Sequence, residues 1–233
     1  MLVCIDAGHA KNTAGKRSFD GLLREYEFNR SVAKLLKKYL EQHGVDVIYS
    51  CDLETDVDIS LYERCKTANN ANVDLFVSIH ANAYGTDWNS ATGWEVYYCN
   101  GSMKGQKLAE FIQKESIPFL GLKDRGIKTN SLYVTKNTNM PAVLIEHGFF
   151  TNKEECEKLK SPVFREKCAI ADAKGILKYL GIPWLENTSE TTVDDYIAII
   201  KNKIGLEQQT IEYLQAYKYG ADLIRKIANA VKG

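Results

Sequence analysis

Three apolar segments of the chain each end in a side chain that binds metals or transfers protons. Ile5 leads through Asp6 to His9, the run 73–77 leads to His80, and the run 143–145 leads to Glu146. Apolar, β-branched runs of this length are typical of buried strands. Because the carboxyl ends of parallel strands line one edge of an open α/β sheet, we expect His9, His80 and Glu146 to lie close together.

Two imidazoles and a carboxylate are a donor set that suits zinc. Catalytic zinc sites usually have three protein ligands and keep a fourth position open. His9 and His80 supply two nitrogens, and the candidates for the third ligand are Glu25 and Glu27, at the predicted start of a helix. Each residue also has an ordinary explanation: a glutamate at a helix N-terminus interacts with the helix dipole, and His9 follows a glycine, as turn residues often do.

Glu146 is harder to explain as an ordinary structural residue. It ends the run Ala142-Val143-Leu144-Ile145, and a carboxylate buried there is costly unless a charge or a metal lies nearby. The residues alone therefore indicate a zinc hydrolase site with an acid–base carboxylate beside it.

The elements that must position these side chains alternate along the chain, which predicts an α/β fold with a mostly parallel, twisted sheet flanked by helices. Helical spacing of apolar residues and strong β formers define the segments. The predicted strands are 1–8, 45–49, 73–80, 93–98, 131–134 and 141–146, and the predicted helices are 25–43, 60–70, 104–115, 154–159 and 162–180.

The periodicity stops after Pro183, which predicts two domains. We assign residues 1–182 to a catalytic domain, 183–193 to a linker and 194–233 to a small all-helical domain. The last region shows three short helical segments, near 192–203, 207–217 and 221–231. A segment of this size buries only a small apolar core without a partner. We therefore expect this region to dock on the main domain or to form homo-oligomers.

Composition excludes several classes of protein. Of 233 residues 45% are hydrophobic, and 30 basic residues balance 30 acidic ones, so the net charge predicts neither a nucleic acid nor a membrane as partner. The N-terminus shows no signal peptide, which predicts synthesis in the cytoplasm. Six scattered cysteines without a C-x-x-C pair predict reduced, mostly buried thiols.

Six short motifs in order resemble zinc-dependent N-acetylmuramoyl-L-alanine amidases of the amidase-3 family. The resemblance covers roughly residues 1–181. The motifs are D-A-G-H at 6–9, E-Y-E-F-N at 25–29, S-L-Y-E-R at 60–64 with A-N at 68–69, S-I-H-A-N-A at 78–83, G-W-E-V-Y-Y at 93–98 and P-A-V-L-I-E-H-G-F-F-T-N at 141–152.

The resemblance implies roles for individual residues. His9, Glu25 and His80 become the expected zinc ligands, because the family's Glu-x-x-x-Asn pattern selects Glu25 and leaves Glu27 as a secondary residue. Glu146 becomes the expected catalytic glutamate. The expected reaction is hydrolysis of the amide between N-acetylmuramic acid and L-alanine in peptidoglycan.

Other features of the resemblance concern substrate and setting. Asn82 and Gly93, with the loop 88–93 between them, are the expected substrate contacts. After His9 the chain reads Ala-Lys-Asn where the family commonly has Gly-Gly and an Asp, so this loop is expected to differ in shape.

A cytoplasmic amidase fits a phage endolysin that reaches the cell wall on release. The alternatives are a sporulation or autolytic amidase of the bacterium itself, a zinc exopeptidase, or a non-catalytic wall-binding protein.

Overall fold

The computed structural model describes residues 1–185 and 193–216, together with residues 224 and 227. The chain divides into two compact units, Met1–Trp184 and Leu185–Gly233. Within the described residues, no helix is both long enough and apolar enough to cross a bilayer. The six cysteines are free thiols.

The first unit is built on a six-stranded sheet in the order β2-β1-β3-β6-β4-β5. Neighbouring strands are parallel except β4 and β6, which pair antiparallel. The predicted α/β class with a mostly parallel sheet is therefore confirmed. The strands are β1 (Leu2–Ala7), β2 (Asp46–Tyr49), β3 (Leu75–Asn82), β4 (Trp94–Tyr98), β5 (Asp124–Thr129) and β6 (Ala142–Phe149).

Helices cover both faces of the sheet, but unequally. On one face α1, α3 and α6 pack on the alternate strand residues Val3, Ile5, Val77, Val96 and Ile145 to form the main core. On the other face α2 and α4 cover only part of the sheet, over Cys4, Phe76 and Leu144. The helices are α1 (Glu25–Gln42), α2 (Leu61–Asn70), α3 (Met103–Leu120), α4 (Tyr133–Lys136), α5 (Lys153–Lys160) and α6 (Pro162–Leu180).

Two segments differ from the sequence-based prediction. The strand predicted at 131–134 is wrong: the hydroxyls of Thr135 and Thr138 donate to the carbonyls of Leu132 and Val134, and these local bonds favour the single helical turn α4. The edge strand β5 was not predicted, because its sequence D-R-G-I-K-T is polar and contains a glycine. Its pairing with β4 places it in the sheet.

The second unit contains α7 (Val193–Ile204) and α8 (Gln208–Ala216), close to two of the predicted helical segments. Gly205 separates them with a φ of +67°, a conformation that favours glycine. Ile197, Ile200 and Ile211 form an apolar cluster with Ile224. The third predicted segment lies outside the described residues except for 224 and 227, and most of the predicted linker lies outside them too. The domain limits and roles stay predictions.

Candidate active site

The carboxyl ends of β1, β3 and β6 bring three of the predicted side chains together. In the sheet register Asp6 lies beside Ser78, and His80 lies beside Glu146. The N–H of Gly8 still bonds to the carbonyl of Ile79, at 3.2 Å, so the chain leaves the sheet only at His9. The backbone of His9 has a φ of +63°, and its ring centroid lies 5.1 Å from that of His80.

Glu25 completes this group as the first residue of α1. Its N–H donates to the carbonyl of Lys16, which fixes the start of the helix. The carboxylate is 1% exposed: Oε1 lies 2.9 Å from Nδ1 of His80, and Oε2 lies 3.4 Å from Nε2 of His9. Glu27 is exposed on the same helix, and its carboxylate accepts from the hydroxyl of Tyr26. The structure thus brings Glu25 and not Glu27 to the two histidines.

These three side chains fit a divalent metal ion. One donor atom from each of His9, Glu25 and His80 lies within 4.8 Å of the others. Oε2 of Glu25 is buried without a hydrogen-bond partner among the described residues. A buried carboxylate oxygen is costly when unsatisfied, and a metal between the donors would satisfy it. Two imidazoles with one carboxylate match the ligands that zinc takes in hydrolases.

The protonation of the three donors shows what metal binding must displace. Burial lowers the pKa of His9 to about 4, so this imidazole is neutral. Burial also disfavours the charged form of His80, but its hydrogen bond to Glu25 raises its pKa, and the same bond lowers the pKa of Glu25 despite burial. Without metal these directions favour a charged pair, an imidazolium of His80 with a carboxylate of Glu25, and a metal ion would displace the proton of His80.

Glu146, on β6, lies beside the three candidate metal ligands His9, Glu25 and His80. Its Oε2 is buried without a hydrogen-bond partner within the described part of the chain. Burial raises its pKa to about 8, and the nearby charge of Glu25 acts in the same direction. A carboxyl group that changes protonation near neutral pH suits a general acid–base role. The next residue, His147, points to the other face, where Nε2 lies 2.9 Å from Asp172.

Two small features hold the segment Gly8–His9 and the ring of His80 in place. The side chain of Asn29 on α1 donates to the carbonyl of Gly8 at 2.8 Å, which explains why an asparagine follows Glu25 by one helical turn. A Cβ at Gly8 would lie 2.0 Å from Cε1 of His80. Only glycine therefore lets the His80 ring take its position over the end of β1.

A buried ion pair next to the site was not predicted from the sequence. Nη1 of Arg64 on α2 donates to Oδ1 of Asp6 and to the carbonyl of Ala7, at 2.7 and 2.8 Å, and its Nη2 donates to Asp58 at 2.6 Å. The second oxygen of Asp6 accepts from Ser78. Asp58 lies 3.9 Å from Nδ1 of His9, so this network connects β1 and α2 to the candidate metal ligand His9.

The two predicted substrate contacts have different surroundings. Asn82 is half-buried, and its amide donates to Oε1 of Glu95 at 2.8 Å. Gly93 is buried: its N–H donates to Glu155, and a Cβ there would lie 2.5 Å from the carbonyl of Lys123. Packing therefore accounts for this glycine, and both substrate contacts stay predictions.

A cavity of about 820 Å³ opens beside the donor group, on the face that α2 and α4 cover only in part. Its wall combines polar and apolar side chains. The lining includes His9, His80, Glu146, Lys16, Tyr97, Asn130, Leu61, Leu132, Tyr133 and Leu144. A cavity of this size with a few convergent polar groups is typical of a ligand-binding site.

Comparisons with known proteins all indicate one family. Residues 3–178 match a family model described as N-acetylmuramoyl-L-alanine amidase. The chain is similar to the N-acetylmuramoyl-L-alanine amidase LytC of Bacillus subtilis, with 39% identity over 179 residues, 76% of this chain and 35% of LytC. It is also similar to the endolysin of Bacillus phage SPP1, with 35% identity over 187 residues, 78% of this chain and 66% of the endolysin. This chain thus spans about a third of the length of LytC.

Solved structures show the same similarity. The catalytic domain of the amidase CwlV from Bacillus (Paenibacillus) polymyxa var. colistinus aligns with a TM-score of 0.72 and 33% identity, over 78% of this chain and 99% of that domain. An N-acetylmuramoyl-L-alanine amidase from Clostridium difficile 630 aligns with a TM-score of 0.72 and 37% identity, over 77% of this chain and 96% of that amidase chain. The family match covers most of the first unit and includes all four candidate site residues. The chain therefore belongs to the N-acetylmuramoyl-L-alanine amidase family of enzymes.

Proposed function

We propose that this chain is a zinc-dependent amidase that hydrolyses the bond between the lactyl group of N-acetylmuramic acid and the L-alanine of the stem peptide. The observation that carries the proposal is the convergence of His9, Glu25 and His80 with the buried Glu146 beside them. His9, Glu25 and His80 would hold the zinc ion, which when bound supplies a Lewis acid for water and for the scissile carbonyl.

The residues of the chain perform the proton transfers. Glu146 accepts the proton of the attacking water and returns it to the departing alanine nitrogen. It is suited to this role because it lies beside His80 in the sheet and its Oε2 makes no hydrogen bond within the described residues. Asn29 and Gly8 hold His9 and His80 in place, and the cavity beside them accepts part of the glycopeptide. Asn82 is the candidate for a direct substrate contact at the strand end.

This function predicts a metal-dependent release of new amino termini from peptidoglycan. Purified sacculi incubated with the zinc-loaded protein should gain N-terminal L-alanine, detected by dinitrophenyl labelling. A chelator should abolish the gain, and added zinc should restore it. A zinc exopeptidase would instead release free amino acids, and a non-catalytic wall-binding protein would release nothing. Absence of new N-terminal L-alanine with metal-loaded protein would contradict the proposal.

We further infer that the enzyme acts as a phage endolysin on the cell wall and that its second unit binds the wall or another copy of the chain. The similarity to the SPP1 endolysin over 78% of this chain supports the first inference. The small size of the second unit supports the second inference, since a cluster such as that of Ile197, Ile200 and Ile211 buries little apolar surface for a domain that stands alone. The alternative, an autolytic or sporulation amidase of the bacterium itself, is supported by the similarity to LytC, because LytC is an amidase of a bacterium and not of a phage.

The endolysin proposal predicts when lysis occurs, and optical density measures it. Bacteria that express the chain in the cytoplasm should keep a steady optical density until the membrane is opened, and should then lyse within minutes. A chain that ends at Trp184, the limit of the first unit, should lyse them more slowly if the second unit concentrates the enzyme on the wall. Lysis during expression, before the membrane is opened, would contradict the endolysin proposal.

A further inference from the structure

A cluster of charged residues on β4 and β5 lies on the far side of Glu146 from the zinc ligands. Glu95 on β4 is the direct antiparallel partner of Glu146 on β6. Side chains at such positions lie on the same face of the sheet, with Cβ atoms roughly 5 Å apart. Glu95 is 2% exposed, yet it carries a full negative charge next to the proposed general base. The groups that bind the Glu95 carboxylate therefore determine the net charge next to Glu146.

Those partners are two cations of β5 and two neutral groups. Oε2 of Glu95 accepts from Nε of Arg125 and from Nζ of Lys128, and Oε1 accepts from the hydroxyl of Tyr97 and the amide of Asn82. Although burial opposes ionisation, these bonds, led by that of Lys128, lower the pKa of Glu95 to about 2. The carboxylate is thus ionised and fully hydrogen-bonded at neutral pH.

A β-bulge brings both cations to the same side of the sheet. Trp94 pairs with Asp124, but the next pair is Val96 with Ile127, so Arg125 and Gly126 together oppose Glu95. Gly126 has a φ of +87°, which favours glycine. In a regular strand Arg125 and Lys128, three residues apart, would point to opposite faces. Bulges are frequent next to active sites, where they redirect side chains.

The cluster has an excess of positive charge. One carboxylate faces two cations, and one cation would suffice to neutralise Glu95. The side chains of Arg125 and Lys128 remain 31% and 34% exposed, whereas that of Glu95 is buried. Lysine has three N–H donors and arginine five. The bonds to Glu95, together with that of Arg125 Nη1 to the carbonyl of Thr92, therefore leave donors of both residues for a further acceptor. The cluster therefore offers an anion a paired set of charge-assisted hydrogen bonds.

The distance between Glu146 and the cluster of Arg125 and Lys128 matches the spacing of residues along a stem peptide. Neighbouring strands lie about 4.8 Å apart, so β5 lies roughly 10 Å from β6, and the side chains of its cations reach back to Glu95 on the strand between. An extended peptide spans about 3.5 Å for each residue. The residue after L-alanine would therefore reach the cluster when the scissile nitrogen lies at Glu146.

We propose that Arg125 and Lys128 form a carboxylate-binding subsite for the stem-peptide residue that follows L-alanine. This inference rests on the proposed amidase function and adds a specificity to it. The enzyme should prefer stem peptides in which that second residue carries a free α-carboxylate over those in which this group is a carboxamide. Glu95 acts as the positioning residue that holds both cations at the subsite.

The test compares two soluble disaccharide peptides that differ only in this group, D-isoglutamate against D-isoglutamine. The zinc-loaded wild type should show about a tenfold higher kcat/KM for the carboxylate substrate, as expected for one charge-assisted interaction. Lys128→Gln should lose about that factor on the carboxylate substrate, mainly through KM, and change little on the carboxamide. Arg125 remains in this variant, so Glu95 is not left unpaired. Lys128→Arg should retain the preference.

The matched control is Lys107→Gln, because Lys107 is exposed on α3, which packs on the opposite face of the sheet. It should behave as the wild type on both substrates. Zinc content and the melting temperature show whether each variant is folded. Equal wild-type rates on the two substrates, or an equal loss on both in Lys128→Gln, would overturn the subsite and leave the amidase proposal intact. Failure of the wild type to cleave either substrate would contradict the amidase function itself.

Discussion

Replacing Glu146 with glutamine is expected to lower kcat by about 10³-fold, the scale on which general acid–base catalysis contributes, while zinc binding is retained. Glutamine has the shape of glutamate but accepts no proton from water at neutral pH. The group that binds metal consists of His9, Glu25 and His80 and does not include Glu146. The measurements are kcat on a soluble muramoyl peptide and the zinc content of the purified protein.

Two glutamates of α1 provide controls for this prediction. Glu27 is exposed, so Glu27→Gln should keep both zinc and turnover. Glu25 lies between the two histidines, so Glu25→Gln should lose zinc and turnover together. A Glu146→Gln enzyme with a nearly normal rate would exclude this residue from the mechanism, and one that has lost its zinc would show that Glu146 acts through the metal site.

The sequence predicted the main parts of the fold because its apolar runs are long and end in unusual residues. β1, β3 and β6 are buried strands whose side chains read as continuous apolar runs, and His80 and Glu146 interrupt those runs at the edge of the sheet. β5 gave no such signal: it is an edge strand with partly exposed residues and a bulge at Gly126. Its place in the sheet depends on pairing with β4, and the spacing of apolar residues within one segment carries no information about such a partner.

The site was predictable only in part, for a similar reason. Glu25 and Glu27 are both in the first turn of α1, and residues two apart on a helix point about 200° apart, so only one of them can face the histidines. Which one does depends on how α1 packs on the sheet. The contact of Arg64 with Asp6 joins residues 58 positions apart, and no local pattern pairs them. The motif resemblance selected Glu25, but it said nothing of this ion pair.

Loss of that ion pair is expected to destabilise the fold strongly. Arg64 and Asp6 are each about 2% exposed, and Arg64→Met would leave the Asp6 carboxylate buried without its cation. Breaking a buried pair on one side costs about 3–5 kcal/mol of unfolding free energy. Urea denaturation with a chelator present measures this cost without a contribution from metal binding. The double variant Asp6→Asn/Arg64→Met should recover part of the loss, because it leaves no unpaired charge.

The pH dependence separates this explanation from a simple loss of packing. Burial opposes ionisation of Asp6, but Arg64, Ser50 and Ser78 lower its pKa in the folded wild type. This carboxylate therefore stabilises the wild type above its unfolded pKa of about 4, and the contribution is lost as the pH falls through the lower folded value. In Arg64→Met, burial without the cation should instead raise the folded pKa, so Asp6 takes up a proton as the pH falls and the penalty is relieved. The difference in unfolding free energy between wild type and Arg64→Met should accordingly be largest at neutral pH and shrink toward pH 4. A constant difference over this range would mean that Arg64 stabilises the fold by packing and not by its charge.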